Sequence, residues 1–113
     1  MDIGESTYDL YQRGREHLKA GMPAQATVAL EKAKRREPGK ASIREALGIA
    51  YFRIRRFEEA EREFRVMIDL HPVDDYAHLA LARCLEKQGR VEEAAAHFKL
   101  ARCLRPPRPE EEG

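Results

Sequence analysis

Between Ala41 and Leu70, small and apolar residues return every three or four positions, first at Leu47, Gly48 and Tyr51, then at Ala60, Phe64 and Met67. That recurrence gathers them on one stripe of a helix. It predicts two consecutive helices, about Ala41–Ile54 and Phe57–Leu70, joined across Arg55-Arg56 and stopped at His71-Pro72. Shifted by 34 positions, Leu47, Tyr51, Ala60, Phe64 and Pro72 become Leu81, Leu85, Ala94, Phe98 and Pro106. Shifted the other way they become Arg13, His17, Ala26, Leu30 and Pro38. Prolines at equal intervals, with the small and aromatic columns in register, define three units of two helices each, about 7–40, 41–74 and 75–106.

Local signals set the remaining boundaries. Ser6 and Asp9 have the spacing of a capping box, with Asp in place of Glu or Gln, so a first helix is expected over Thr7–Ala20. Gly21 can take the left-handed conformation that ends it, and Pro23 suits the first turn of a second helix running to Arg36. Asp74 is placed to cap a fifth helix to Gln88, Gly89 to turn the chain, and Val91–Leu104 to form a sixth. Arg55 shares its column with Gly21 and Gly89, which predicts a left-handed arginine in the middle turn. Residues 1–6 read as a leader. The run Arg-Pro-Pro-Arg-Pro-Glu-Glu-Glu-Gly over 105–113 cannot continue a helix and is expected to be disordered. It contains a minimal Pro-x-x-Pro, Pro106 to Pro109, a weak ligand pattern for proline-binding domains.

The Leu-Gly-x-x-Tyr of Leu47–Tyr51, the Ala-x-x-x-Phe of Ala60–Phe64 and the closing Pro72 resemble the tetratricopeptide repeat family, whose unit is a 34-residue helix–turn–helix. The resemblance covers about residues 7–106 and is best in the middle unit. It implies an all-α, right-handed superhelical solenoid of three helix pairs, six helices in all. The first unit departs from the pattern at Arg13 and His17, as end repeats commonly do. Family members often carry a polar seventh helix over the last repeat, and none is visible here. Ala95, Leu100 and Arg102 are then candidates for an uncovered face.

Composition narrows the function. Of 113 residues, 36% are charged and the net charge is only +1, whereas a strongly electrostatic nucleic-acid binder carries a large basic excess. Acid-first pairs at Glu31/Arg35, Glu58/Arg62 and Glu61/Arg65 instead fit solvated helix faces. The N-terminus lacks the basic-then-apolar pattern of a secretory signal, and no apolar run is long enough for a membrane span. Cys84 and Cys103 fall on different helices, the first in a packing column and the second in a surface one. Free thiols fit a reducing compartment, so a cytoplasmic protein is expected.

Candidate chemistry does not accumulate. His17, His71, His78 and His97 are scattered without the spacing of a metal pair, and the glycines sit at turns or packing columns rather than in a phosphate loop. Glu58-Glu59 and Glu92-Glu93 open outer helices, where they favour the positive end of the helix dipole. No enzyme, metal or cofactor is indicated.

Function is therefore expected from a surface. The resemblance implies a concave groove lined by the first helix of each pair. Carried over by column, its residues are Tyr8, Tyr11, Gln12, Arg15 and Lys19; then Glu45, Ile49, Phe52 and Arg53; then Tyr76, Leu79, Arg83 and Lys87. Helical spacing puts each set on one stripe. Lys19, Arg53 and Lys87 form one basic column, and aromatic rings stand where stacking does not require them; Arg and aromatic side chains are common binding anchors. Members that clamp a chaperone's C-terminal carboxylates use Lys, Asn and Arg at columns held here by Tyr11, Arg15, Ala46, Tyr76 and Ala80, so that clamp is not expected. The leading expectation is a non-enzymatic protein-interaction adaptor for an acidic, partly apolar peptide or helix. Alternatives are a structural module that self-associates through the sixth helix, giving a homo-oligomer, and an RNA-binding helical repeat. Near-neutral charge and the absence of a polar code pair per unit count against RNA.

Overall fold

The computed structural model describes residues 4–107, and six helices follow in order: α1 Thr7–Lys19, α2 Pro23–Arg36, α3 Ala41–Arg53, α4 Phe57–Leu70, α5 Asp75–Lys87 and α6 Val91–Leu104. Each expected helix is present, and α1, α3 and α5 stop one residue earlier than the periodicity suggests, with that residue serving as the C-cap. Ser6 and Asp9 make the capping box, and the Asp74 carboxylate accepts the Ala77 N–H.

Three equivalent turns close the pairs. Gly21, Arg55 and Gly89 have φ of 73°, 65° and 78°, all left-handed. The following N–H groups of Met22, Arg56 and Arg90 donate back five residues to the carbonyls of His17, Tyr51 and Leu85, at 2.8, 2.9 and 2.9 Å. That bond takes up carbonyls the helix ends would otherwise leave open.

Within a pair, the helices approach where a residue has no side chain. A Cβ on Gly14 would lie 2.5 Å from Leu30 Cγ, and one on Gly48 would lie 2.7 Å from Phe64 Cζ. Leu30 and Phe64 fill the space this leaves, and both are buried. Every helix packs on its neighbours in the chain, and α1 also reaches α3, giving an elongated solenoid of 53 × 33 × 26 Å. Burial is therefore serial: Phe64 and Met67 of α4 share one cluster with Ala77, Leu81, Cys84 and Leu85 of α5.

Two surface expectations change. Glu5, expected in a loose leader, is ion-paired with Arg13, and its carbonyl accepts from Arg36. Arg13 thus replaces the packing leucine of the other units with a tie to the N-terminus. Glu31 turns to Lys34 and the Tyr51 hydroxyl instead of Arg35, while Glu61 does pair with Arg65 at 2.8 Å. The tail expectation lies outside the described residues from position 108 onward, and so does Pro109 of the Pro-x-x-Pro pattern.

Candidate functional site

The first helices of the three pairs lie side by side, and two adjoining clefts run across them. One, of about 360 Å³, is lined by Tyr11, Arg15, Leu18 and Lys19 of α1 and by Glu45, Ala46, Ile49 and Arg53 of α3. The other, of about 170 Å³, adds Phe52 of α3, Phe64 of α4, and Tyr76, Leu79, Ala80 and Arg83 of α5. Ile49 and Arg53 belong to both, so the clefts form one continuous strip.

Ten of the thirteen residues expected in the groove line this strip. Tyr8, Gln12 and Lys87 do not: Tyr8 is 66% exposed at the outer edge, where its hydroxyl accepts a 2.6 Å bond from Gln12 Nε2. Leu18, Ala46, Phe64 and Ala80 line the clefts without having been assigned to them. A signal for Leu18 exists in the sequence, since it occupies the Phe52 column one unit earlier.

The aromatic side chains are less independent of the core than their columns suggest. Phe52 is half-buried, packs against the α4–α5 cluster and meets Phe57 edge-on at 5.1 Å between ring centres. Tyr76 meets Phe64 edge-on at 6.4 Å. These rings form the floor of the strip and part of the fold at once. Tyr11 carries Arg15 over its face at 5.7 Å, a cation–π arrangement.

The polar lining is mainly cationic, with Arg15, Lys19, Arg53 and Arg83 against the single carboxylate of Glu45. Arg53 is partly committed, because its Nη1 donates to the Leu18 carbonyl at 3.1 Å and so ties α3 to the end of α1. Burial raises the Glu45 pKa, Asp74 raises it further, and Arg15 opposes them. Burial, then Glu45, raises that of Tyr76. The strip is thus a place where charge is only partly solvated, and there Coulomb attraction to a ligand is stronger than at an open surface.

Elsewhere the structure corrects the reading of the histidines. His78 and His97, on α5 and α6, are brought together with their Nδ1 atoms 3.1 Å apart. Their 19-residue separation resembles no metal spacing, which is why the sequence concealed the pair. No group of three or more potential metal ligands occurs among the described residues. Burial pushes the Cys84 thiol up to about 12, so it is a packing group rather than a nucleophile, and Cys103 is free and exposed. None of the described helices is long and apolar enough to cross a membrane.

Comparison with known proteins places this geometry. A tetratricopeptide repeat sequence profile matches residues 11–75 and 46–109. The chain is similar to Superkiller complex protein 3 from Mus musculus, at 32% identity over 97 residues, and from Homo sapiens, at 29%; the match takes in 86% of the chain but 6% of either relative. Among solved structures it is similar to a mutant of MamA, with a TM-score of 0.87 and 29% identity, covering 95% of this chain and 78% of that one. The second TPR of Spaghetti (RPAP3), bound to HSP90 peptide SRMEEVD, gives 0.83 and 21% identity, covering 89% and 94%.

Proposed function

The chain belongs to the tetratricopeptide repeat family, and on that premise we propose that it is a non-enzymatic adaptor holding an acidic, partly apolar peptide or helix along the α1–α3–α5 strip. One observation carries the reading: four cations and one carboxylate surround a continuous apolar floor of Ile49, Phe52, Phe64, Tyr76 and Leu79. Such a floor contributes affinity through burial, and the cations steer an acidic partner and fix its register. The Spaghetti (RPAP3) domain, bound to a peptide that is itself acidic, supports peptide capture as a use of the shared fold and says nothing of the partner here. The two free cysteines support a reducing, cytoplasmic setting.

Capture from a native extract followed by peptide mapping supplies the ligand, whose affinity for variants then tests the site. Phe52→Ala should weaken binding by about 2 kcal/mol. Because the ring is half-buried, the same change should also cost roughly 1–2 kcal/mol of stability, so retained helicity is checked by circular dichroism. Arg83→Glu should slow association and weaken its salt dependence. Arg62→Glu, exposed on α4 and absent from the strip, should change neither. Equal losses from Arg62→Glu and Arg83→Glu, with folding intact, would place the partner elsewhere.

A further inference from the structure

The contact between α5 and α6 contains a proton-sharing pair. His78 Nε2 lies 2.9 Å from the Pro72 carbonyl oxygen, which can only accept. Neutral His78 therefore carries its proton on Nε2 and presents a bare Nδ1. His97 Nδ1, 3.1 Å away, must supply the hydrogen between them. The ring centres are 5.3 Å apart and the planes only 19° from parallel, so with nitrogens so much closer than centres the rings meet by their Nδ1 edges. Lone pair and N–H point at each other with no room for an ion between them.

This geometry accepts one extra proton and resists two. A proton on His97 Nε2 leaves the Nδ1–H···Nδ1 bond intact. A second must go to His78 Nδ1 and sets two N–H groups face to face across a contact in which His78 is 5% exposed. The surrounding charges do not relieve it evenly. Burial, then the facing His78, lowers the His97 pKa; Arg65, from α4, lowers it further, while Glu93, one turn earlier on α6, opposes them. Asp74, before α5, has its carboxylate on the Ala77 N–H. Glu93 is itself engaged by Arg90 and Arg65.

The repeat supplies its own controls. The positions equivalent to His78 and His97 are Arg44 and Glu63 in the middle unit and Leu10 and Ala29 in the first. Arg44 Nη1 and Glu63 Oε1 are ion-paired at 2.9 Å, and Leu10 and Ala29 are both buried apolar residues. Neither alternative contains a histidine, the side chain whose ordinary pKa lies between pH 5 and 8.

We infer that the His78–His97 pair is a pH-sensitive latch that holds α6 on α5 at neutral pH and releases it on acidification. Detached, His97 takes its proton near the ordinary histidine pKa; latched, burial and the facing His78 hold its pKa lower, so the latched state binds fewer protons. The stabilisation is therefore complete above about pH 6.5 and is lost as pH falls below it. Each pH unit raises the opening constant of α6 by up to about tenfold per proton withheld.

Hydrogen exchange of the full chain, corrected for the intrinsic pH dependence of amide exchange, tests this. Between pH 7.5 and 5, protection of α6 should fall by about tenfold or more, while α1 and α2 stay level. His78→Leu with His97→Ala, and separately His78→Arg with His97→Glu, install the pairs of the other two units. In whichever variant folds, the extra loss in α6 should disappear. Should α6 in the wild type lose no more protection than α1 and α2, or should a folded variant keep the full loss, the latch is refuted.

Discussion

Between their two helices, the middle and last units hold different chemistry at equivalent positions: Arg44 against Glu63 in one, His78 against His97 in the other. Around these pairs the turns match, with left-handed residues at φ 65° and 78° and five-residue return bonds of 2.9 Å in both. The backbone of the repeat therefore does not depend on the polarity of this slot. What it requires is that whatever enters be internally satisfied. Among the described residues no buried side-chain nitrogen or oxygen lacks a hydrogen-bond partner, which is the condition under which buried polar groups are tolerated at all. The packing layer has less freedom. Phe64 abuts Gly48 and is 2% exposed, whereas Phe98, in whose unit Ala82 occupies the Gly48 column, is only half-buried.

That contrast is sharpest at the layer itself. Phe64→Ala should cost roughly 3–5 kcal/mol in a urea titration, since it empties the space between α3, α4 and α5. Phe98→Ala, removing a ring that is only half-buried, should cost less than half as much. Equal losses would mean that the two units are packed alike, against the difference in their burial.

The slot should give the next largest effect. Glu63 is 4% exposed and joins Arg44 to Lys34 of α2, at 2.9 and 3.1 Å. Glu63→Ala removes the carboxylate both cations share, leaving Arg44 with the Pro38 carbonyl and Lys34 with Glu31. Their side chains keep 15% and 22% exposure, so the loss should be about 2–3 kcal/mol, below that of a fully buried pair. Adding Arg44→Leu recreates the first unit's Leu10 and Ala29, and the double variant should recover to within about 1 kcal/mol of the wild type. A double variant worse than Glu63→Ala alone would show that the middle slot needs its ion pair.

The same division explains what the sequence revealed. Helix ends, the left-handed arginine and the buried Phe64 follow from the 34-residue register and from local backbone chemistry, and both are written in consecutive residues. The lining of the clefts was legible by column, since ten residues named that way line them, and Leu18 was missed because its column was named at Phe52 alone. What stayed hidden was pairwise and long-range. The contact of His78 with His97, the tie of Glu5 to Arg13 and the engagement of Arg53 with the Leu18 carbonyl depend on side-chain reach across helices, for which no spacing rule exists.

The smallest expected effect tests the matched backbone rather than the varied slot. At the middle turn Arg55 holds a φ of 65°, in the region that disfavours a Cβ by roughly 1–2 kcal/mol. Arg55→Gly removes that strain. It also frees the unfolded chain, and it gives up the Arg55 guanidinium stacked 5.4 Å from the Phe57 ring centre, worth about 0.5 kcal/mol at an exposed site. These opposing terms leave a net change between zero and about 1 kcal/mol of stabilisation. The reciprocal change isolates the dihedral term. A Cβ at Gly89 would meet nothing within 4 Å, so Gly89→Ala should cost about 1 kcal/mol with no packing contribution. If Arg55→Gly lowers the melting temperature while Gly89→Ala leaves it unchanged, the two turns are not equivalent and the matched backbone of the units is refuted at its most local point.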